Sequence, residues 1–174
     1  MKNGDSLFSR RMSALAESLS TDYTVHYFRL ADMQLHYCSG CFSCWWKNPG
    51  LCTFQDDAGQ IFESYIHSDF VIFASPLYAG FTSSSLKKIT DRLIVLLHPY
   101  ITIIDGELHH MKRYQSYPDF GLVLEKECDT DDEDIAIINT IYDRFGLNFH
   151  ARHRFTRWLE NLSNEEIKHE IDHL

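Results

Sequence analysis

The sequence predicts an α/β fold with a mainly parallel sheet, and three stretches carry the prediction. "DFVIFASP" (Asp69 to Pro76) is a continuous apolar run closed by turn residues, as expected of a strand buried on both faces in a parallel sheet. Phe8, Met12, Leu15 and Leu19 form a stripe at helical spacing between Ser6 and Leu19, so that segment reads as a helix with one buried face. "TSSSLKKITDRLIVLL" places serine caps ahead of Leu86, Ile89, Leu93 and Leu96, a second amphipathic helix directly after the strand. Strands alternating with helices pack as layers around a sheet.

The remaining elements follow in chain order. Asp5 or Ser6 can cap the first helix, because either side chain accepts from a free amide of the first turn. Gly4 leaves the backbone before it open to a close-approaching ligand. "YTVHYFRL" (Tyr23 to Leu30) is aromatic and β-branched and reads as a strand. An irregular cysteine-rich loop comes next. A helix is expected from Asp57 to Ile66, with Ile61, Phe62, Tyr65 and Ile66 inward. Pro76 should end the apolar strand, and Gly80 permits a tight turn after it.

Loops or a short excursion are expected between Pro99 and Pro118. "DFGLVLEKE" reads as a strand, and a helix from about Asp131 to Phe145 turns Ile135, Ile138, Ile141 and Tyr142 inward. The acidic run Asp131 to Asp134 suits that helix's N-terminus, where the dipole favours negative charge. A strand near Asn148 to Arg154 and a helix from Ser163 to His173 complete the chain, read as a single domain over residues 1–174.

Composition narrows the function classes. The formal net charge of −9 argues against general affinity for nucleic acid or an anionic membrane. Arg144, Arg152, Arg154 and Arg157 are read as a solvated face. With no apolar run long enough to span a bilayer and no secretory signal, the expected location is the cytoplasm, where thiols stay reduced. Metal or redox chemistry is then a better special role for the five cysteines than disulfides.

Four of them fall in "CSGCFSCWWKNPGLC", with the spacing C-x2-C-x2-C-x7-C at Cys38, Cys41, Cys44 and Cys52. The opening matches compact ligand runs for a [4Fe–4S] cluster. Zinc sites more often join two knuckles through a longer spacer, and cluster-free thiols are the third alternative. Trp45 and Trp46, beside Cys44, would crowd a cubane. Cys128 stands alone after a strand and reads as a buried small hydrophobe. The pairs His109–His110 and His150, His153 lack clean metal-ligand spacing.

Three motifs in order carry a resemblance. "SPLYAGFTSSSLKKITDR" resembles the turn and helix of the flavodoxin-like, NAD(P)H-dependent FMN reductase superfamily. "CSGCFSCWWKNPGLCTFQDD" looks like the C-x-G-C-x-x-C…C…DD segment of its iron–sulfur flavoprotein branch, and "KNGDSLFSRRMSALAESL" is similar to the end of its phosphate loop with the following helix.

The resemblance implies FMN as cofactor and NAD(P)H as cosubstrate. It implies a small-molecule or protein electron acceptor and a homodimer or homotetramer. It places Asn3, Gly4, Asp5 and Ser6 at the FMN phosphate, where helix amides suit a dianion. Asp5 departs from the usual Asn and adds a repulsive carboxylate. Ser75, Pro76, Leu77, Tyr78, Ala79 and Gly80 match the segment bordering the isoalloxazine and ribityl groups, while Ser83 to Ser85 are better read as caps.

An enzyme of this kind implies no protein acid, base or nucleophile, since the flavin carries the chemistry. An electron-transfer module carrying FMN and a [4Fe–4S] cluster is the alternative, and a remnant that binds no flavin is the third reading. The resemblance also implies an apolar first strand before the phosphate loop, in the middle of a three-layer flavodoxin-like sandwich. Met1 and Lys2 stand where that loop is half finished, so the central N-terminal strand is expected to be absent through a start codon placed too late. Reading the frame upstream tests this expectation.

Overall fold

The computed structural model describes residues 6–174. Its elements are helices α1 (Leu7–Leu19), α2 (Ser43–Trp46), α3 (Ala58–Ile66), α4 (Ser84–Arg92), α5 (Asp132–Phe149) and α6 (Asn164–Asp172). The strands are β1 (Phe70–Tyr78), β2 (Phe81–Thr82), β3 (Leu97–Ile104), β4 (Glu107–Lys112), β5 (Asp119–Glu125) and β6 (His153–Trp158). One sheet has the order β2-β1-β5-β6, and β3 and β4 form a separate ribbon. β5 runs parallel to both β1 and β6, while β2 folds back antiparallel on the end of β1.

Alternation along the strands builds two cores. Phe73 and Leu77 of β1, with Phe120, Leu122 and Leu124 of β5, bury against α3, α4 and α5. Val123 and Phe155 point to the other face, where Met12, Leu15 and Leu19 of α1 meet Ile167 of α6. The expected stripes of α1 and α3 thus become the two outer layers of an α/β sandwich. A side chain at Gly121 has no room there: its Cβ would stand 2.3 Å from Cζ of Phe155.

Several expectations are corrected. Tyr23 to Leu30 forms no strand, because strands need a ladder partner and none runs beside it among the described residues. On its side away from β5, β1 has a partner among the described residues only at Leu77 and Tyr78. β1 continues past Pro76 to Tyr78, and Pro76, at the last position of the β5 ladder, is tolerated there. The helix after Arg92 tightens into a 3₁₀ turn over Leu93–Leu96, and the excursion from Pro99 is the antiparallel β3–β4 ribbon.

α5 runs to Phe149 rather than Phe145, taking Asn148 from the expected strand, and closes with His150 in the left-handed region. Ile141 lies on its solvent face, 40% exposed, rather than inward. Cys128 is exposed, since it occupies the turn where Thr130 N donates to Glu127 O, outside both cores.

Other readings hold. Asp131 caps α5 by accepting from the Glu133 and Asp134 amides, and Asp134 returns the bond by accepting from Asp131 N. Arg144, Arg152, Arg154 and Arg157 each face a carboxylate: Glu107, Asp119, Asp119 and Glu170. No helix among the described residues is long and apolar enough to cross a membrane.

Candidate functional site

The predicted phosphate loop is only partly within the described residues: Asn3, Gly4 and Asp5 lie outside them. Ser6 caps α1, its side chain accepting from Ser9 N at 3.1 Å. The first turn of α1 itself carries no acidic residue, so its amides present the positive end of the helix.

The second predicted segment is a built turn at the carboxyl end of β1. Ser75 is fully buried, accepts from Ser83 N at 2.9 Å and donates to Pro76 O at 2.7 Å, which ties the turn to the start of α4. Ser83 in turn accepts from Leu86 N, the cap expected from the serine run. Leu77 is buried, whereas Tyr78 presents its ring at 57% exposure. Ala79 and Gly80 both have positive φ, +50° and +71°. Glycine takes that conformation freely; alanine does so at a cost and persists where the surroundings impose it. Gly80 also passes close to α5, where an added Cβ would stand 2.5 Å from Asp134 Oδ1.

The cysteine loop forms the other part. Cys38, Cys41, Cys44 and Cys52 line one small concavity with Phe54, Arg92, Ile94 and Val95. Neither tryptophan lines it. Trp45 turns away, donating Nε1 to Leu97 O at 3.1 Å and to Ile94 O at 3.3 Å, and Trp46 points outward at 72% exposure. The expected crowding is therefore absent: backbone carbonyls of the 3₁₀ turn and of the start of β3 draw the indole off the thiols. Trp45 instead helps line a neighbouring cavity of about 440 Å³ between the loop, α4 and α5, together with Cys38 and Cys44. None of Ser75 to Gly80 lines either cavity.

The thiols sit in unequal surroundings. Hydrogen bonds from Ser43, backbone first, and from Ser39 lower the Cys41 thiol below its ordinary value. Burial raises Cys44, and proximity to Cys52, Cys38 and Cys41 adds to the rise. Among the described residues no three His, Cys, Asp or Glu side chains converge on a single metal ion. A tetrahedral zinc site would need its sulfurs about 3.8 Å apart, from Zn–S bonds of about 2.3 Å. A cubane takes one thiolate at each of four iron corners, and the four thiols that line this one concavity supply that donor set.

Sequence reasoning missed Arg92. Its side chain is 1% exposed and pairs with Asp56, itself 5% exposed, through bonds of 2.7 and 2.9 Å. Burial opposes the Asp56 charge, but Arg92 and the amides of His36 and Ala58 outweigh it and hold the carboxyl below its ordinary range. Arg92 also donates to His36 O at 3.0 Å and to Cys52 Sγ at 3.4 Å. The signal was available: Arg92 falls on the apolar stripe of Leu86 and Ile89, where a charge requires a buried partner.

Comparison with known proteins agrees with this layout. An iron-sulfur flavoprotein of Methanocaldococcus jannaschii is 34% identical over 87 residues, 49% of this chain and 42% of that protein. A second from the same organism is 26% identical over 124 residues, 71% of this chain and 56% of that one. One from Clostridioides difficile is 36% identical over 86 residues, 47% of this chain and 36% of its own length. The chain thus matches about half or less of the length of these relatives.

Among solved structures, an NADH:FMN oxidoreductase in its apo form superposes with a TM-score of 0.56, covering 99% of this chain and 83% of that one at 11% identity. An FMN-dependent NADH-azoreductase from Bacillus anthracis, in complex with FMN, gives 0.59, covering 99% and 90% at 11% identity. These likenesses establish the flavodoxin-like fold. The sequence profile of the NADPH-dependent FMN reductase family matches residues 3–118, more than half of the chain and spanning α1, the cysteine loop and the β1 turn. The chain belongs to the NADPH-dependent FMN reductase family.

Proposed function

We propose that the chain is an FMN-dependent NAD(P)H oxidoreductase that passes electrons to a small molecule or to another electron carrier. The observation that carries this reading is the family match across residues 3–118, which includes both predicted flavin segments. When bound, FMN supplies the hydride and single-electron chemistry. The protein's part is to hold and orient it. The amides at the start of α1, with Asn3, Gly4, Asp5 and Ser6, take the phosphate. The turn from Ser75 through Pro76, Leu77, Tyr78, Ala79 and Gly80 borders the ring system, with the exposed Tyr78 ring for its face.

A second reading adds a [4Fe–4S] cluster on Cys38, Cys41, Cys44 and Cys52, making the chain an electron-transfer iron–sulfur flavoprotein. The single concavity lined by all four thiols favours it, as do the names of the curated relatives. Such a cluster would exchange one electron at a time.

Self-association is part of the proposal, supported by exposed Ile101, Ile103 and Leu108 on the β3–β4 ribbon. Titration of apo-protein with FMN tests the first reading: saturable quenching of flavin fluorescence and oxidation of NADH or NADPH are expected. Absence of both leaves a chain that binds no flavin. Anaerobic reconstitution tests the second, with broad absorption near about 400 nm and about four iron per chain expected, against a bare flavin spectrum.

A further inference from the structure

The base of the cysteine loop is closed by side chains rather than by a strand ladder. Gln34 N donates to Asp57 Oδ2 at 2.7 Å, His36 N donates to Asp56 Oδ2 at 2.8 Å, and Asp57 N returns to Gln34 O at 3.2 Å. His36 also stacks on Phe54 with ring centroids 4.7 Å apart. Arg92 bolts this stem from α4, since one guanidinium reaches Asp56, His36 O and Cys52 Sγ together. It lies between the rings of Phe54 and Phe62, at 5.8 and 5.5 Å from their centroids.

The contact with sulfur has chemical content. Asp56 and His36 O between them accept three bonds from Arg92, whose guanidinium has two further N–H donors to place. Nη2 is directed at Cys52 Sγ, and Nε is buried with no hydrogen-bond partner among the described residues. A neutral thiol accepts hydrogen bonds weakly, whereas a metal-bound thiolate accepts well. Cys52 is also the ligand most remote in sequence, eight residues beyond Cys44, and depends most on something to bring it into register.

We propose that Arg92 is the positioning residue of the iron–sulfur site, fixing Cys52 among the other three thiols and raising the cluster's reduction potential through its charged N–H···S bond. The inference rests on the cluster reading above. One electron entering the cluster adds negative charge on the acceptor sulfur, so the reduced form gains more from the N–H···S bond than the oxidised form. Lysine at this position keeps a charge for Asp56 but has no planar fork to reach Cys52 at the same time.

The test uses the full chain, reconstituted anaerobically with iron and sulfide and titrated with dithionite while the reduced cluster is followed by electron paramagnetic resonance. In wild-type protein labelled with 15N-arginine, 15N modulation from the reduced cluster is expected; its absence overturns the proposal without any mutant having to fold. In Arg92→Lys, the midpoint is expected to fall by the equivalent of about a tenfold shift in the oxidised-to-reduced ratio, about 59 mV for one electron, with faster loss of iron to chelator. A variant that keeps the wild-type midpoint and iron retention also overturns it. Wild-type chain that takes up no iron rejects the cluster reading itself, and this proposal with it.

Discussion

The Phe155 ring lies across the backbone of Gly121, so close that a methyl group at residue 121 would stand 2.3 Å from Cζ. The two residues are ladder partners on β5 and β6, and Phe155 is 5% exposed within the core under α1 and α6. Gly121→Ala should destabilise the fold by about 1–3 kcal/mol through overpacking. Urea denaturation gives the reading, and a midpoint equal to wild type would show that the ring moves aside freely.

A second expectation concerns Ser75. Replacing it with alanine leaves the half-buried Ser83 amide without its acceptor, at a cost of about 1–3 kcal/mol. Because the same bond tethers the turn that carries Tyr78, FMN affinity should weaken together with thermal stability. A destabilised Ser75→Ala protein that binds FMN as tightly as wild type would separate the turn from the flavin.

The Arg92–Asp56 pair predicts an acid limb in stability. The folded Asp56 carboxyl ionises below its ordinary value of 3.8, so its contribution is fully present above that value. As pH falls below 3.8 and through the lower folded value, protonation removes the contribution. Stability should therefore rise with pH across this window, less steeply in Asp56→Asn. At neutral pH that variant should lose about 3–5 kcal/mol, the penalty of leaving Arg92 buried and uncompensated. Denaturant curves between acid and neutral pH measure both effects, and parallel curves for the two proteins would contradict the assignment.

Trp45 separates support from obstruction. Trp45→Phe loses the indole bond to Leu97 O, but that carbonyl also accepts from Arg113 Nη2 at 3.0 Å. The cost should stay near about 0.5–1.5 kcal/mol. Iron bound per chain after reconstitution should not change, since the ring stands outside the thiol concavity. A drop in iron at unchanged stability would place the indole in the site after all.

The elements legible from sequence were those whose cause is local. Met12, Leu15 and Leu19 state α1 by their spacing, and the apolar run of β1 states a strand covered on both faces. Tyr23 to Leu30 has strand composition but failed, because a strand is a relation between two segments and composition names only one. The β3–β4 ribbon had a readable signal in Asp105–Gly106, with φ of +50° and +81° as a tight hairpin turn requires. The cysteines were legible as a group, but their common concavity and the outward turn of Trp45 depend on carbonyls some fifty residues away. Arg92 was hidden for the same reason, its partners lying 36 to 56 residues back along the chain.

Gly80 and Asp134 share a space that holds only one of two things. Asp134 uses its carboxylate to close the α5 cap on Asp131 N, and it can do so beside the β1 turn because residue 80 has no side chain. Among relatives, a larger residue at the position of Gly80 should therefore appear only with a shorter or differently capped start to α5. The two positions, far apart in sequence, should change together.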